Sequence, residues 1–362
     1  MEKIKGFDGL RGLAVLLVIL AHGEIWGLLG LEQTLVARAL TAELGVTVFF
    51  VLSGFLITAL LLEEQKATGT VSLRDFYIRR SLRIFPLYFL AISIMPALML
   101  LGLLDVKNCT LFHAYTYTLN FAPKECTLAS YSHFWSLAVE EHFYLAWPLA
   151  FLLGRRLALA FMWAVLMACI GMWLYGHDIL KPFQDSYYVS RWTIPAAAPI
   201  AMGCIAAYYR NSPWLHTLYR RAGWLVLAVS VCVMLAPWRN LHTNGAAMLG
   251  LVLFVYLTQD GIVTRALEWR PLAWIGTVSY GLYVWQGVLG GNGPYRESPV
   301  FPPPLYEGLG WALVATVASY YLFEKPIMRL KHRFSWQRTR KSGAHPHREP
   351  STALTAGQRH TG

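Results

Sequence analysis

The sequence predicts an all-α fold, a polytopic membrane bundle of about ten transmembrane helices with both termini in the cytoplasm. Three observations predict it. The 362 residues are 56% hydrophobic, and the mean hydropathy is +0.42. Only 14% are charged, well below the ~25% of ordinary soluble domains. The apolar residues also fall into runs of about 20, the length that crosses a hydrocarbon core. This composition excludes a disordered chain, a domain built on a basic nucleic-acid face and most soluble enzymes. The net charge of +11 then belongs on the cytoplasmic rims of a membrane protein rather than on a nucleic-acid surface.

The expected spans lie at 12–30, 44–62, 84–104, 137–153, 157–175, 193–209, 223–237, 244–260, 271–290 and 306–323. The seventh is the weakest, being short and ending at Pro237. An even number puts both ends on one side, and positive charge says which. With the N-terminus inside, the inner segments carry 24 of the 31 Lys and Arg, and every inner loop has at least two. A nine- or eleven-span map breaks this alternation. Lys3 and Lys5 precede an apolar run too long for a signal-peptide core, with no small-x-small site after it, so the first span reads as a signal anchor. Residues 1–334 are expected to form one membrane domain. Residues 335–362 read as a polar, disordered cytoplasmic tail.

The longest stretch outside the membrane is expected at about 105–136, and it holds Cys109 and Cys126. An oxidising compartment would permit a disulfide between them, although spacing alone leaves the pairing open. Cys169, Cys204 and Cys232 fall within spans and read as packing residues.

Ionisable residues inside a span cost about 2.5–3.5 kcal/mol each on insertion scales, so each demands a reason. Arg11 and His22 are eleven positions apart, which brings them to one face of a helix, ~16 Å apart along its axis. His22 is either a hydrogen-bonding partner for a neighbouring helix or a general base facing a cavity. Asp8 is spaced to pair with Arg11. Glu24 carries no assigned chemistry and snorkels outward. Gly45, Ser53 and Gly54 read as close-packing positions in the second span. Arg79, Arg80 and Arg83 sit just before the third span. They are topology determinants and, compatibly, a clamp for a phosphorylated cytoplasmic donor.

The fourth span begins with His133, Trp135, Glu140, Glu141, His142 and Tyr144, more polar groups than packing requires. Glu140 and Tyr144 share a helix face, and Glu141 points elsewhere. No pair has metal-ligand spacing of the H-E-x-x-H type, and no metal is expected. The cluster reads as an acceptor-binding or proton-handling site that opens outward.

Several of these stretches, in order, resemble one family. They are Phe7–Ala14 with the Arg11–His22 spacing, Phe49–Ile57, Arg79-Arg80-x-x-Arg83 with Pro86 and Tyr88, and Trp135-Ser-Leu with Glu140 and Tyr144. Ser279–Trp285 and Glu324–Pro326 complete the set. The chain is similar over 5–325 to the acyltransferase family 3 membrane proteins. The resemblance implies ten core helices in a bacterial inner membrane and transfer of an acyl group, usually acetyl, from cytoplasmic acyl-coenzyme A to a glycan hydroxyl. Neither a permanently bound cofactor nor nucleic acid is implied.

By matching position it makes His22, Glu140 and Arg11 catalytic and Arg79, Arg80 and Arg83 donor-binding. His133, Trp135 and Tyr144 line the acceptor side in this reading. Gln286 stands where many members carry His, and His142 where Gln is common after the acidic pair. Some relatives carry a fused extracellular domain. Here the membrane domain is expected to act alone or with separate glycan-assembly enzymes, as a monomer or homo-oligomer. The competing class is a polytopic transporter or flippase, since intramembrane charge also marks transport paths. Against it, no matching pair of Gly/Pro-broken helices is visible in two halves of the chain.

Overall fold

Helix occupies all ten apolar runs in the computed structural model, which describes residues 3–22, 25–28, 30–31, 33–34, 37, 39–236, 240–290, 301–330 and 334. Glu24 and the expected tail at 335–362 lie outside the described residues. The helices that matter below are α1 (Phe7–His22), α2 (Ala42–Thr68), α3 (Leu73–Ile92), α4 (Ile94–Leu100), α5 (Asn108–Tyr115), α6 (Trp135–Leu152) and α7 (Arg155–Gln184). They continue with α8 (Ala198–Tyr209), α9 (Pro213–Leu235), α10 (Leu241–Leu257), α11 (Arg270–Thr277), α12 (Ser279–Gly290) and α13 (Leu305–Ser319). No strand occurs among the described residues.

Among the described residues, four helical stretches are long and apolar enough to cross a membrane: Ala42–Thr68, Leu73–Leu100, Arg155–Gly176 and Pro213–Leu235. They differ in surroundings. In α2, 78% of the apolar window is buried inside the protein, whereas for Arg155–Gly176 and α9 the figures are 22% and 17%. A helix apolar all round and buried is a core element. One apolar all round and bare, like α7 with Phe161, Trp163, Met167 and Leu174 exposed, needs an apolar solvent. α2 is therefore the central post, and α7 and α9 form the rim.

Small residues let α2 meet its neighbours. A Cβ on Gly54 would collide with the Ile200 carbonyl of α8, and one on Gly203 with the Val51 carbonyl of α2, so the two backbones touch. At the far end of α2, Gly69 takes φ +81° and caps the helix, its N–H donating to the Gln65 carbonyl.

One boundary departs from expectation in a way that matters. The third helix begins at Leu73, eleven residues before the expected start of the span, because the Ser72 side chain caps it by accepting from the Asp75 N–H at 3.3 Å. Hydropathy missed this start because its charged first turns dilute the apolar signal. Arg79, Arg80 and Arg83 consequently lie within the helix and not in a loop before it. The ninth run is also broken, into α11 and α12 at Val278, and α13 runs into a π-helical turn at Tyr320–Glu324.

Candidate active site

α1, α2, α3, α6 and α12 enclose a cavity of about 250 Å³. Its polar lining comes from Arg11, Ser53, Arg80, Arg83, Glu140 and Tyr283, and Phe49, Phe50 and Leu56 supply apolar wall. The local reason is register. Arg80 and Arg83 are three apart on α3 and face the same way. Ser53 is presented by α2 beside Gly54, at its close approach to α8.

Glu140 is buried and well held. It accepts from the Ser53 hydroxyl at 2.8 Å and from the Tyr144 hydroxyl at 3.2 Å, and a guanidinium nitrogen of Arg80 lies 4.0 Å away. The Arg80 guanidinium also stacks 3.5 Å over the Tyr144 ring, a cation–π contact. Arg11 pairs with Asp8 at 3.0 Å, as its spacing predicted, and Lys3 takes the other Asp8 oxygen at 2.9 Å. Arg83 has no hydrogen-bond or ion-pair partner among the described residues, yet it faces the cavity. Three guanidinium groups thus converge on a space that holds one carboxylate. Such an arrangement suits a polyanion, which planar guanidinium forks bind through charge-assisted hydrogen bonds.

Arg79 does not join them. It turns to Glu64 at 3.0 Å and to the Phe334 carbonyl at 2.6 Å. Glu64 is buried and also accepts from the Ser72 N–H at 3.0 Å, so this pair ties the end of α2 to the start of α3.

His22 is the last residue of α1, at the opposite end from Arg11, and it does not line this cavity. Its Nδ1 lies 3.3 Å from the Gln286 side-chain oxygen. The Gln286 amide nitrogen donates to the Tyr283 carbonyl at 3.3 Å, which fixes the amide with its oxygen toward the imidazole. An oxygen there can only accept, so Nδ1 carries the proton and Nε2 keeps a lone pair. A histidine held in this tautomer can take a proton at Nε2 from a hydroxyl. Gln286 is no base itself, yet at this position its amide sets the tautomer of His22.

The remaining expected residues are arranged less simply. His133 is buried, with Nε2 donating to the Val284 carbonyl at 3.2 Å and Nδ1 unpartnered. Its ring presses on Gly287, where a Cβ would collide with it. Trp135 is half-buried, its ring edge-on to Phe50 at 6.0 Å. Tyr144 lies beneath Arg80, fully buried. Neither His133 nor Trp135 lines the cavity.

Two residues escaped the sequence reading. Tyr283 lines the cavity and donates to the His133 carbonyl at 2.7 Å, with Ser136 2.6 Å from its hydroxyl. Arg191 stacks 4.2 Å over Tyr188 and acts electrostatically on His22. No local spacing announces either, because each reaches the site from a distant stretch of chain. Cys109, in the first turn of α5, and Cys126 form a disulfide, 17 positions apart. It ties α5 to the turn before α6, where Thr110 donates to the Cys126 carbonyl at 2.8 Å.

Together, membrane-length apolar helices and a cavity lined by three guanidinium groups describe a membrane-type helical bundle with a cationic interior space beside a polar, hydrogen-bonded centre. Comparison with known proteins makes the class specific. Residues 4–323 match the acyltransferase domain family, Acyl_transf_3, and the chain belongs to that family. The match displaces the transporter reading.

The chain is 27% identical, over 90% of its length, to YrhL of Bacillus subtilis (strain 168), named as a candidate peptidoglycan O-acetyltransferase. It is 28% identical, over 91% of its length, to a candidate O-acetyltransferase of Staphylococcus aureus (strain COL). It is 27% identical, over 78% of its length, to the peptidoglycan O-acetyltransferase OatA of Listeria monocytogenes. These alignments cover 55%, 58% and 48% of the relatives, so the chain spans about half their length. No solved structure matches.

Proposed function

We propose that this protein is an integral membrane O-acyltransferase. It moves an acyl group, acetyl by default, from cytoplasmic acyl-coenzyme A to a hydroxyl of a cell-surface carbohydrate. The reading takes the chain as ten-spanning in a bacterial cytoplasmic membrane, with both ends inside. Support for that topology comes from the helix found on each expected run and from the charge bias of the loops. The names of the relatives favour a glycan acceptor of the peptidoglycan type.

The observation that carries the proposal is the convergence of Arg11, Arg80 and Arg83 on one cavity. In the mechanism they hold the phosphates of the donor. Glu140 fixes Arg80, and Arg79 acts only by positioning the start of α3. The thioester arm extends along α1, whose rise from Arg11 to His22 is ~16 Å. At that end His22 Nε2 removes the proton from the acceptor hydroxyl, and the resulting oxygen attacks the thioester carbonyl. The acyl–sulfur bond breaks and the thiol leaves with a proton. Arg191, stacked on Tyr188, offers positive charge to the oxyanion that forms. Trp135 and Tyr188 give aromatic faces on which a sugar ring can rest.

The test uses inside-out vesicles, radiolabelled acetyl-coenzyme A and host glycan extract, with wild type and His22→Ala at matched abundance. Label in the glycan fraction with wild type alone is the expected result. Equal label from both removes His22 from the mechanism. No label from either, with folded protein present, removes the transferase reading.

A further inference from the structure

Two stretches of chain meet beside the first turn of α6: the short turn Lys124–Cys126 and residues 184–192. The Lys124 backbone N–H donates to the Ser186 carbonyl at 2.8 Å, and its ammonium donates to the Gln184 carbonyl at 2.8 Å. Pro123 and Tyr187 bridge the same two stretches. In the topology proposed above, both lie on the outer side.

Arg191, on the second stretch, is half-buried, and its guanidinium lies over two rings. It is 4.2 Å from the centroid of Tyr188 and 5.8 Å from that of Trp135. The ammonium of Lys124 lies 5.3 Å from the same Tyr188 centroid. Ring contacts of this kind occupy the flat face of a guanidinium and leave the N–H donors at its edge. Arg11, Arg79, Arg80 and Arg210 each have a carboxylate partner. Arg191 has no ion pair and no side-chain hydrogen bond among the described residues. The neighbouring acids, Glu125 and Asp185, are exposed, and among the described residues they pair with neither cation. Burial draws Arg191 below its ordinary pKa, so its charge is under-compensated where it stands.

The surroundings say what an anion here would be attached to. Phe121 and Tyr188 are 37% and 41% exposed, so the two cations are flanked by open rings. Aromatic faces receive the C–H face of a sugar, whereas the guanidinium edge and the ammonium take charge. An inorganic anion would use only the second feature, and a neutral sugar only the first. The patch also adjoins the reacting end of the protein. Trp135 follows His133 by two positions, and the His133 ring packs on Gly287, next to the Gln286 that holds His22.

We propose that Lys124 and Arg191 bind a carboxylate or phosphate carried by the acceptor, so that the enzyme selects an anionic glycan. The inference rests on the transferase reading above. The guanidinium fork takes two oxygens of the anion, and the ammonium adds a point charge. A guanidinium has five N–H donors, so Arg191 keeps donors for the oxyanion of the transfer step.

The test uses the full chain in nanodiscs of phosphatidylcholine. Affinities are measured for cellotetraose, for the same oligosaccharide with a primary alcohol oxidised to a carboxylate, and for one with a primary alcohol phosphorylated. A polyprenyl-diphosphate-linked sugar in the disc forms a further arm. An anionic form should bind wild type about tenfold tighter than the neutral one, the scale of one charge-assisted hydrogen bond. Arg191→Gln and Lys124→Gln should each remove most of that preference. Arg191→Lys, which keeps the charge and loses the fork, should retain part of it. Unchanged acetyl-coenzyme A binding shows that the variants are folded. Preference for the carboxylated form makes a charged sugar unit the source of the anion. Preference confined to phosphate, with the lipid-linked sugar competing, makes the carrier diphosphate the source. No binding of any form, equal binding of neutral and charged forms, or a preference that survives both Gln variants overturns the proposal. A preference abolished by adding phosphatidylglycerol to the disc also overturns it, because lipid headgroups then own the patch. The expected preference without acylation of any glycan would leave this site standing and fell the transferase reading instead.

Discussion

The two ends of α1 solve the problem of polar groups in an apolar bundle in opposite ways. At the Arg11 end, guanidinium groups are gathered and left under-compensated, with Arg83 unpartnered among the described residues and Arg80 only 4.0 Å from Glu140. At the His22 end, imidazoles are paired with neutral acceptors, His22 with the Gln286 amide and His133 with the Val284 carbonyl. An unpaired cation cluster awaits charge from outside, whereas a histidine fixed in one tautomer awaits a proton. In the proposed mechanism this contrast separates binding from chemistry by ~16 Å along a single helix.

The contrast within the arginine triplet is the first way to break this account. Arg79→Ala leaves Glu64 buried without its cation, and breaking a buried pair costs about 3–5 kcal/mol. Thermal unfolding in nanodiscs should fall steeply for Arg79→Ala and little for Arg83→Ala. The order for donor affinity is reversed: Arg83→Ala should weaken acetyl-coenzyme A binding about 10–100-fold, the scale of a lost charge-assisted hydrogen bond. Equal behaviour of the two variants would erase the distinction between them.

A smaller effect sharpens the other end. Gln286→Leu removes the acceptor that keeps the proton on His22 Nδ1, and turnover should drop about tenfold, the scale of one hydrogen bond. Abundance and donor affinity should stay unchanged. A collapse of abundance would make Gln286 a packing residue instead.

Between α4 and α6, the Cys109–Cys126 bridge closes a loop of 17 positions, for which chain entropy gives about 3 kcal/mol. Reduction, or Cys126→Ser, should raise hydrogen exchange in 105–134 while leaving α2 protected. The smallest expectation concerns His113 in the same loop, where burial holds the imidazole below its usual value. The unfolded loop then binds more protons, so stability is full above about pH 6.5 and declines as pH falls. Exchange of the loop at pH 5 against pH 7.5 should show that slope in wild type and lose it in His113→Asn.

Much of the helical layout was legible because apolar runs are local signals, and helix falls on all ten runs. The start of α3 was not, since a capping Ser72 and a charged first turn hide it from hydropathy. The Arg11–Asp8 pair followed from spacing, and so did the contact of Glu140 with Tyr144. The partition of Arg79 from Arg80 and Arg83 did not, because it depends on where the long α2 places Glu64, near its end. Gln286 was visible only as a departure from a pattern; its partner is 264 positions away, and no periodicity connects them.

The central claim, that donor charge is bound at one end of α1 and proton chemistry occurs at the other, is tested most directly by separating KM from kcat in two variants. With purified protein in nanodiscs and a saturating glycan acceptor, Arg83→Ala should raise the donor KM at least tenfold and leave kcat within about threefold. His22→Ala should lower kcat by about 10²–10⁴, the range of general base catalysis, with donor binding intact. Loss of donor binding in His22→Ala, or an Arg83→Ala defect confined to kcat, would contradict it.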